Sequence, residues 1–275
     1  MKKKKNIAAR KNAMPFQETS AVRTSASLPL AAVVLFVLIV GALAAAAYTR
    51  NSIYRSHVTL WADVTKRSPN KRRAHENYGQ ALSTAGSVAK SEAVARKYYD
   101  EALKQFGMVI ALKDDGSVPP RDLYREIGVV QFRLKKYDEA AAAWQTGLQK
   151  APNDPSLLNN LSIVLMQLGR VDEAAAAAQT ALAVDPGMPQ ALNTMGQVYM
   201  LKKNYDKAVE VFLKAIERQP DLAARYWNAA LALEQAGKID MALQYANQYA
   251  AMERDPLGRQ RALGYIEYLK KRKRS

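Results

Sequence analysis

Between Asp122 and Lys135 the apolar residues Leu123, Ile127, Val130 and Leu134 recur at intervals of three and four. That spacing gathers them on one face of an α-helix. After a short Lys-Lys turn, Tyr137 and Asp138 open a second helical stretch whose small residues, Ala140 to Ala143 and Gly147, let the first helix approach closely. Pro152 then stops it, because proline cannot continue a helix and forces its predecessor out of the helical region. The pattern returns with a period of 34 residues. Tyr124, Ile127, Gly128, Gln131, Ala140, Trp144, Gly147 and Pro152 become Leu158, Leu161, Ser162, Leu165, Ala174, Ala178, Ala181 and Pro186. The next shift gives Leu192, Met195, Gly196, Tyr199, Ala208, Phe212, Ala215 and Pro220. A third gives Tyr226, Ala229, Ala230, Leu233, Ala242, Ala246 and Tyr249, with the closing proline arriving late as Pro256. Each unit is a helical hairpin that cannot bury both faces alone, and stacking on its neighbour supplies the missing core. A fixed period of this length predicts an all-α solenoid.

These slots resemble the tetratricopeptide repeat, whose large-x-x-apolar-Gly-x-x-large, Ala-x-x-x-aromatic and Pro positions are met at nearly every place from Tyr124 to Pro220. Gln131 departs from it, standing where the family usually has an aromatic residue, and in the last copy Ala230 and Arg254 replace Gly and Pro, which predicts a looser final unit. The resemblance implies a concave groove lined by the first helices of successive units, receiving an extended peptide or a helix. One inward slot of the family is commonly Asn, whose amide both donates and accepts. Here that slot holds Asn77, Glu126, Asn160, Thr194 and Asn228, and its inward neighbours are Arg125, Val129, Asn159, Ile163, Asn193, Gln197, Trp227 and Leu231. The candidate partner-binding residues are Asn77, Arg125, Val129, Asn159, Asn160, Ile163, Asn193, Gln197, Trp227, Asn228 and Leu231. They are mixed and uncharged on balance, so the basic clamp of the family's chaperone-tail binders is not evident.

Upstream of the repeats the pattern changes character. Leu28 to Ala47 runs without a charge, and at ~1.5 Å per residue such a helix spans the ~30 Å hydrocarbon core of a bilayer. It predicts a single transmembrane helix over 28–48, with membrane contact from Leu28 to Tyr48. Ala45-Ala46-Ala47 also offers the small residues of a signal-peptide cleavage site, although the apolar run is longer than the usual signal core. Residues 1–27 read as a disordered basic arm. Lys2 to Lys5, Arg10, Lys11 and Arg23 precede the helix, against Arg50 and Arg55 just after it. Seven against two places the arm in the cytoplasm and the repeats in the periplasm, across an inner membrane.

Residues 49–69 read as a membrane-proximal helix. Taking Pro69 as a closing proline puts His57, Trp61 and Val64 in the slots of Ala140, Trp144 and Gly147, a lone second helix. The run from Tyr48 to Asn70 also resembles the junction between the last membrane helix and the repeat tail of polytopic membrane glycosyltransferases. No catalytic membrane domain accompanies it, so no activity is carried over. The solenoid is expected over 70–256, with an irregular first unit at 70–120 and regular units at 121–154, 155–188, 189–222 and 223–256. In the first unit Gly79 and Ala102 stand eleven residues further apart than Gly128 and Ala140. Ser83 to Ser87 reads as a turn there, followed by a long protruding helix from Val88 to Lys113, itself a candidate partner site. Asp114-Asp115-Gly116 lacks the further carboxylates of a calcium loop and reads as a turn. Residues 257–275 read as a polar-backed capping helix with a basic tail.

Charge and chemistry narrow the function. The net charge of +16 is concentrated in three places, residues 1–27, 50–73 and 257–275, each carrying +6, which leaves −2 on residues 74–256. A nearly neutral repeat body argues against nucleic acid as a ligand, while the basic ends suit anionic lipid. There is no cysteine, and His57 and His75 are the only histidines. Without a nucleophile elbow, a phosphate-cradling glycine loop or a Glu-x-x-His pair, neither an enzyme, a metal nor a cofactor is expected. The expected function is a membrane-anchored tetratricopeptide scaffold that binds protein partners of a cell-envelope assembly. The alternative is a non-catalytic accessory subunit of a membrane enzyme complex, such as a glycosyltransferase or cytochrome-maturation complex.

Overall fold

The computed structural model describes residues 30–53, 55–112 and 121–274. The basic arm at 1–27 and the Asp114-Asp115-Gly116 turn lie outside the described residues. The chain divides into two compact units, Met1–Ser52 and Ile53–Ser275.

In the first unit lies α1 (Leu30–Ile53). Its stretch Leu30–Tyr48 has a mean hydropathy of 2.9 and none of it is buried within the chain. Phe36 and Leu38 are both about two-thirds exposed. By length and composition α1 fits a membrane span, and equally a signal sequence.

The second unit is built of helices alone among the described residues. They are α2 (His57–Arg67), α3 (Arg72–Ser87), α4 (Glu92–Ala111), α5 (Arg121–Arg133), α6 (Tyr137–Lys150), α7 (Pro155–Gln167), α8 (Val171–Val184), α9 (Pro189–Leu201), α10 (Tyr205–Arg218), α11 (Ala223–Gln235), α12 (Ile239–Met252) and α13 (Pro256–Arg274). Consecutive helices pair into hairpins that stack in chain order, the all-α tetratricopeptide-type solenoid. The punctuation is chemical. Asp154 caps α7 by accepting the backbone N–H groups of Ser156 and Leu157 at 3.0 Å, and Pro155 and Pro189 occupy the first helical positions, where no N–H is needed. Between the two helices of each of the four hairpins from α5 to α12 one residue turns left-handed: Lys135 (φ 61°), Gly169 (φ 74°), Lys203 (φ 57°) and Gly237 (φ 75°), spaced 34 apart. The following N–H reaches back to the helix, as Arg170 does to the Leu165 carbonyl and Asn204 to that of Tyr199, both at 2.9 Å.

Inside each hairpin the core is set by a pair of facing slots. A Cβ built on Gly79, Gly128 or Gly196 comes within 2.3–2.4 Å of the ring of Phe106, Trp144 or Phe212, so only glycine admits the aromatic residue at its closest approach. Where the first slot carries a side chain, the second shrinks: Ser162 faces Ala178, and Ala230 faces Ala246, all fully buried. The Ser162 hydroxyl donates to the Ala174 carbonyl at 2.7 Å, which satisfies the one polar group this exchange introduces.

Four expectations are corrected. Ser83 to Ser87 is not a turn but the last part of α3, and the chain reverses instead at Val88–Ser91 before α4 starts at Glu92. The long helix expected at 88–113 is present as α4, Glu92–Ala111, but it does not protrude: Tyr99, Ala102, Phe106 and Val109 are buried, and α3 is lengthened beside it. Gly86 meets Tyr99 at 2.6 Å from an added Cβ, repeating the Gly79–Phe106 contact seven residues further out on each helix. The final hairpin is not loose, since Ala229, Ala230, Leu233, Ala242 and Ala246 are all 0% exposed. Pro256 does not close α12; it opens α13, as Pro155 opens α7.

Candidate partner-binding groove

Two adjoining depressions run along the face formed by the first helices. One, of about 220 Å³, is lined by Val129, Phe132, Arg133, Trp144, Asn160 and Ile163. The other, of about 490 Å³, is lined by Met166, Gln167, Gln197, Met200, Leu201, Phe212, Asn228 and Leu231. Helix α7 contributes to both. In each, the aromatic ring of a second helix has reached past a glycine of the first helix to the groove floor. Trp144 is fixed there by donating its indole N–H to the Arg125 carbonyl at 3.1 Å, and Phe132 lies 6.1 Å from it, centroid to centroid.

Of the eleven residues expected in the site, Val129, Asn160, Ile163, Gln197, Asn228 and Leu231 line this groove. The other five go elsewhere. Asn77 lines a separate depression between α2 and α3. Arg125 turns to Asp122 at 3.1 Å and to Glu126 at 3.5 Å. Asn159 is buried and accepts the Thr194 hydroxyl at 2.8 Å, tying α7 to α9. Asn193 accepts from the Asn228 amide at 2.9 Å, tying α9 to α11. Trp227 is sandwiched 5.0 Å from both Tyr249 and Tyr265.

Eight groove residues escaped the sequence reading: Phe132, Arg133, Trp144, Met166, Gln167, Met200, Leu201 and Phe212. Their signal is one helical turn beyond the slots chosen, since Phe132, Met166 and Met200 each follow Val129, Ile163 or Gln197 by three. The inward face shifts along each helix because the earlier slots are consumed by contacts between units.

Charge is carried at the edge of the array instead. Asp172 pairs with Lys202 at 2.5 Å and Asp206 with Lys238 at 2.7 Å, each a carboxylate at the start of one second helix meeting the turn of the next hairpin. Hydrogen bonding to the Lys202 ammonium holds the Asp172 carboxyl below its ordinary value. The rung is completed at the end by Asp240 and Lys273 of α13. Buried Glu234 accepts from Tyr265 at 2.9 Å and Tyr268 at 3.1 Å and pairs with Arg272, so part of the basic tail is engaged with the last hairpin. Burial, and then the bond to Glu234, pushes the Tyr265 phenol well above its usual range. Among the described residues no group of three or more His, Asp or Glu converges as a metal site would require.

Models of the tetratricopeptide repeat match residues 93–155 and 159–223, and a second such model matches 131–182. The chain therefore carries tetratricopeptide repeats, and the solenoid is theirs. Solved structures agree on the fold. A chain of the APC/C hetero-tetramer Cut9–Hcn1 superposes with a TM-score of 0.61 at 16% identity, over 75% of this chain and 38% of that one. A thermophilic tetratricopeptide protein of Thermus thermophilus gives 0.54 at 20% identity, over 68% and 97%. Yeast Tom70 gives 0.54 at 14%, over 79% and 58%. The chain thus spans well under two-thirds of the length of the first and the last. No curated protein matches the sequence.

Proposed function

We propose that this chain is a non-catalytic scaffold, held at a membrane by α1, whose groove over Trp144 and Phe212 binds an uncharged, apolar segment of a protein partner. The carrying observation is the lining itself: apolar side chains and the amides of Asn160, Gln167, Gln197 and Asn228, no carboxylate, and a single cation, Arg133, at one end. Amides between apolar contacts suit a peptide backbone, because they donate and accept without demanding a charge in return. Tetratricopeptide repeats in general serve protein–protein contact. The seven bases before α1 against two after it favour repeats on the non-cytoplasmic side of an inner membrane.

Two measurements test this reading. Ile163→Glu and Leu231→Glu, at half-buried groove positions, are expected to abolish partner capture from solubilised membranes while the helical circular dichroism is kept. Undiminished capture by both variants excludes the groove. For the topology, protease added to intact spheroplasts is expected to digest the repeats, and protection until lysis places them in the cytoplasm.

A further inference from the structure

The groove is neutral along its length and cationic at its α5 end. Arg133 stands in the slot that Gln167 and Leu201 fill in α7 and α9, so it belongs to the groove wall, and it lines the depression over Trp144. It also lines a smaller cleft of about 50 Å³, together with Glu92, Arg96, Tyr99 and Lys135. The lengthened first hairpin makes that cleft. Glu92 opens α4 ten residues before Ala102, whereas Tyr137 opens α6 only three before Ala140, so the start of α4 runs alongside the turn from α5 to α6. Three cations against one carboxylate leave the lining with a net charge of +2. At the later turns the bases are matched: Arg170 by Glu173, Lys202 by Asp172 and Lys238 by Asp206. Around the cleft they are not. Lys135 comes only to 3.9 Å of Glu92, with side chains 74% and 85% exposed, and neither Arg96 nor Arg133 makes an ion pair or hydrogen bond among the described residues. Towards α13 the reverse holds. Tyr265 and Tyr268 stand in the slots of Leu231 and Glu234, and the charge there is closed on itself, Glu234 accepting both phenols and pairing with Arg272.

We infer that the partner segment held over Trp144 and Phe212 carries two adjacent acidic side chains next to its apolar residues, and that these enter the cleft of Arg96, Arg133 and Lys135. The inference rests on the groove being the binding surface. Its chemistry is one of charge complementarity: guanidinium groups take carboxylates through paired N–H donors, and a planar fork of donors fits a carboxylate better than it fits a neutral oxygen. A net charge of +2 is matched by two carboxylates in succession, whereas a chain terminus brings only one. Acidic side chains are therefore the source. The direction of the bound segment follows as well, because counter-charge is called for at the α5 end and not at the α13 end, so the segment lies along the groove one way only. Cations that face solvent also draw an acidic segment in from a distance, and salt screens that attraction.

Short random peptides, displayed within a loop so that neither end is free, test this by selection on the full-length chain in detergent. The peptides whose binding is lost on Ile163→Glu are expected to share an apolar stretch with two Asp or Glu on one fixed side. R96E/R133E, changed at two exposed positions, is expected to select Lys or Arg there instead, with helicity unchanged. A selected peptide, remade with an amidated C-terminus, is expected to bind at least about tenfold more weakly when its acids become Asn or Gln, and likewise when salt rises from about 0.05 M to about 0.5 M. Peptides that depend on Ile163 but carry no acids on a fixed side overturn the inference and leave the groove assignment standing. So do acidic peptides that bind R96E/R133E as well as the unaltered chain, since their charge then meets the basic ends rather than the cleft. Binding that disappears on amidation gives the cleft to a chain terminus and overturns it too. A selection that yields no peptide, or only peptides indifferent to Ile163→Glu, removes the groove and the inference with it.

Discussion

The hairpins α7–α8 and α9–α10 share a backbone and divide the space inside it in opposite ways. In the first, Ser162 faces Ala178; in the second, Gly196 faces Phe212, whose ring would stand 2.4 Å from a Cβ on the glycine. What both respect is that a large ring and a side chain cannot occupy the two facing slots together. The difference matters beyond the core, because only the aromatic ring is long enough to pass the glycine and floor the groove, as Phe212 and Trp144 do. The small–small hairpin contributes to the groove through its first helix alone, with Asn160, Ile163, Met166 and Gln167. These two depressions thus form where a glycine faces an aromatic residue, and the repeat's packing rule also shapes the groove.

The largest effect is expected on removing a ring. Phe212→Ala should destabilise the solenoid by about 3–5 kcal/mol, read as a fall in the denaturation midpoint, and should deepen the groove. Gly196→Ala should cost about 1–3 kcal/mol by overpacking against the ring. Combined, G196S/F212A rebuilds the pairing of α7–α8, and its cost should fall at least about 1 kcal/mol short of the sum of G196S and F212A. Strict additivity would separate the two slots and break the comparison.

A second contrast lies one turn nearer the start of the first helices. Leu123 and Leu157 are each 1% exposed, and the same slot in α11 holds Arg225 at 2%. Its guanidinium donates to the backbone carbonyl and side-chain oxygen of Gln219, both at 2.9 Å, while Nε has no partner. Burial pushes Arg225 below the ordinary arginine value. A base whose proton is held less tightly in the folded state opposes folding wherever it is charged, which for arginine covers all physiological pH. Arg225→Leu is accordingly expected to leave the midpoint unchanged or raise it, by up to about 2 kcal/mol. A clear fall would show that the bonds to Gln219 outweigh the desolvation.

The smallest effect concerns the turns of the two hairpins first compared. Gly169 and Lys203 occupy the same left-handed position, which costs a residue with a Cβ about 1–2 kcal/mol. Gly169→Ala should therefore destabilise by about 1 kcal/mol and Lys203→Gly should stabilise by somewhat less, offset by the added chain entropy of glycine. Equal and negligible shifts would mean that the turn tolerates side chains freely.

Much of this was legible in the residues. The 34-residue period, the glycine slots and the closing prolines dictate hairpins, because 3.6-fold periodicity and proline geometry act locally. The candidate groove was legible only in part. Whether an inward residue faces solvent or a neighbouring unit depends on how much the packing rotates each first helix, and Asn159 and Asn193 were taken up by Thr194 and Asn228. The turn expected at Ser83–Ser87 shows the same limit from the other side. Its Ser, Thr and Gly disfavour helix locally, yet Gly86 is needed as the small residue against Tyr99, and tertiary packing prevails over propensity.

The central claim is that the face floored by Trp144 and Phe212 is the working surface. A photo-crosslinking amino acid placed singly at Ile163, Met200 and Leu231 in the groove, and at Thr180 and Glu210 away from it, tests that claim in intact membranes. The account predicts one discrete adduct shared by the three groove positions and absent from the other two. Adducts confined to Thr180 and Glu210, or none at the groove positions, would contradict it.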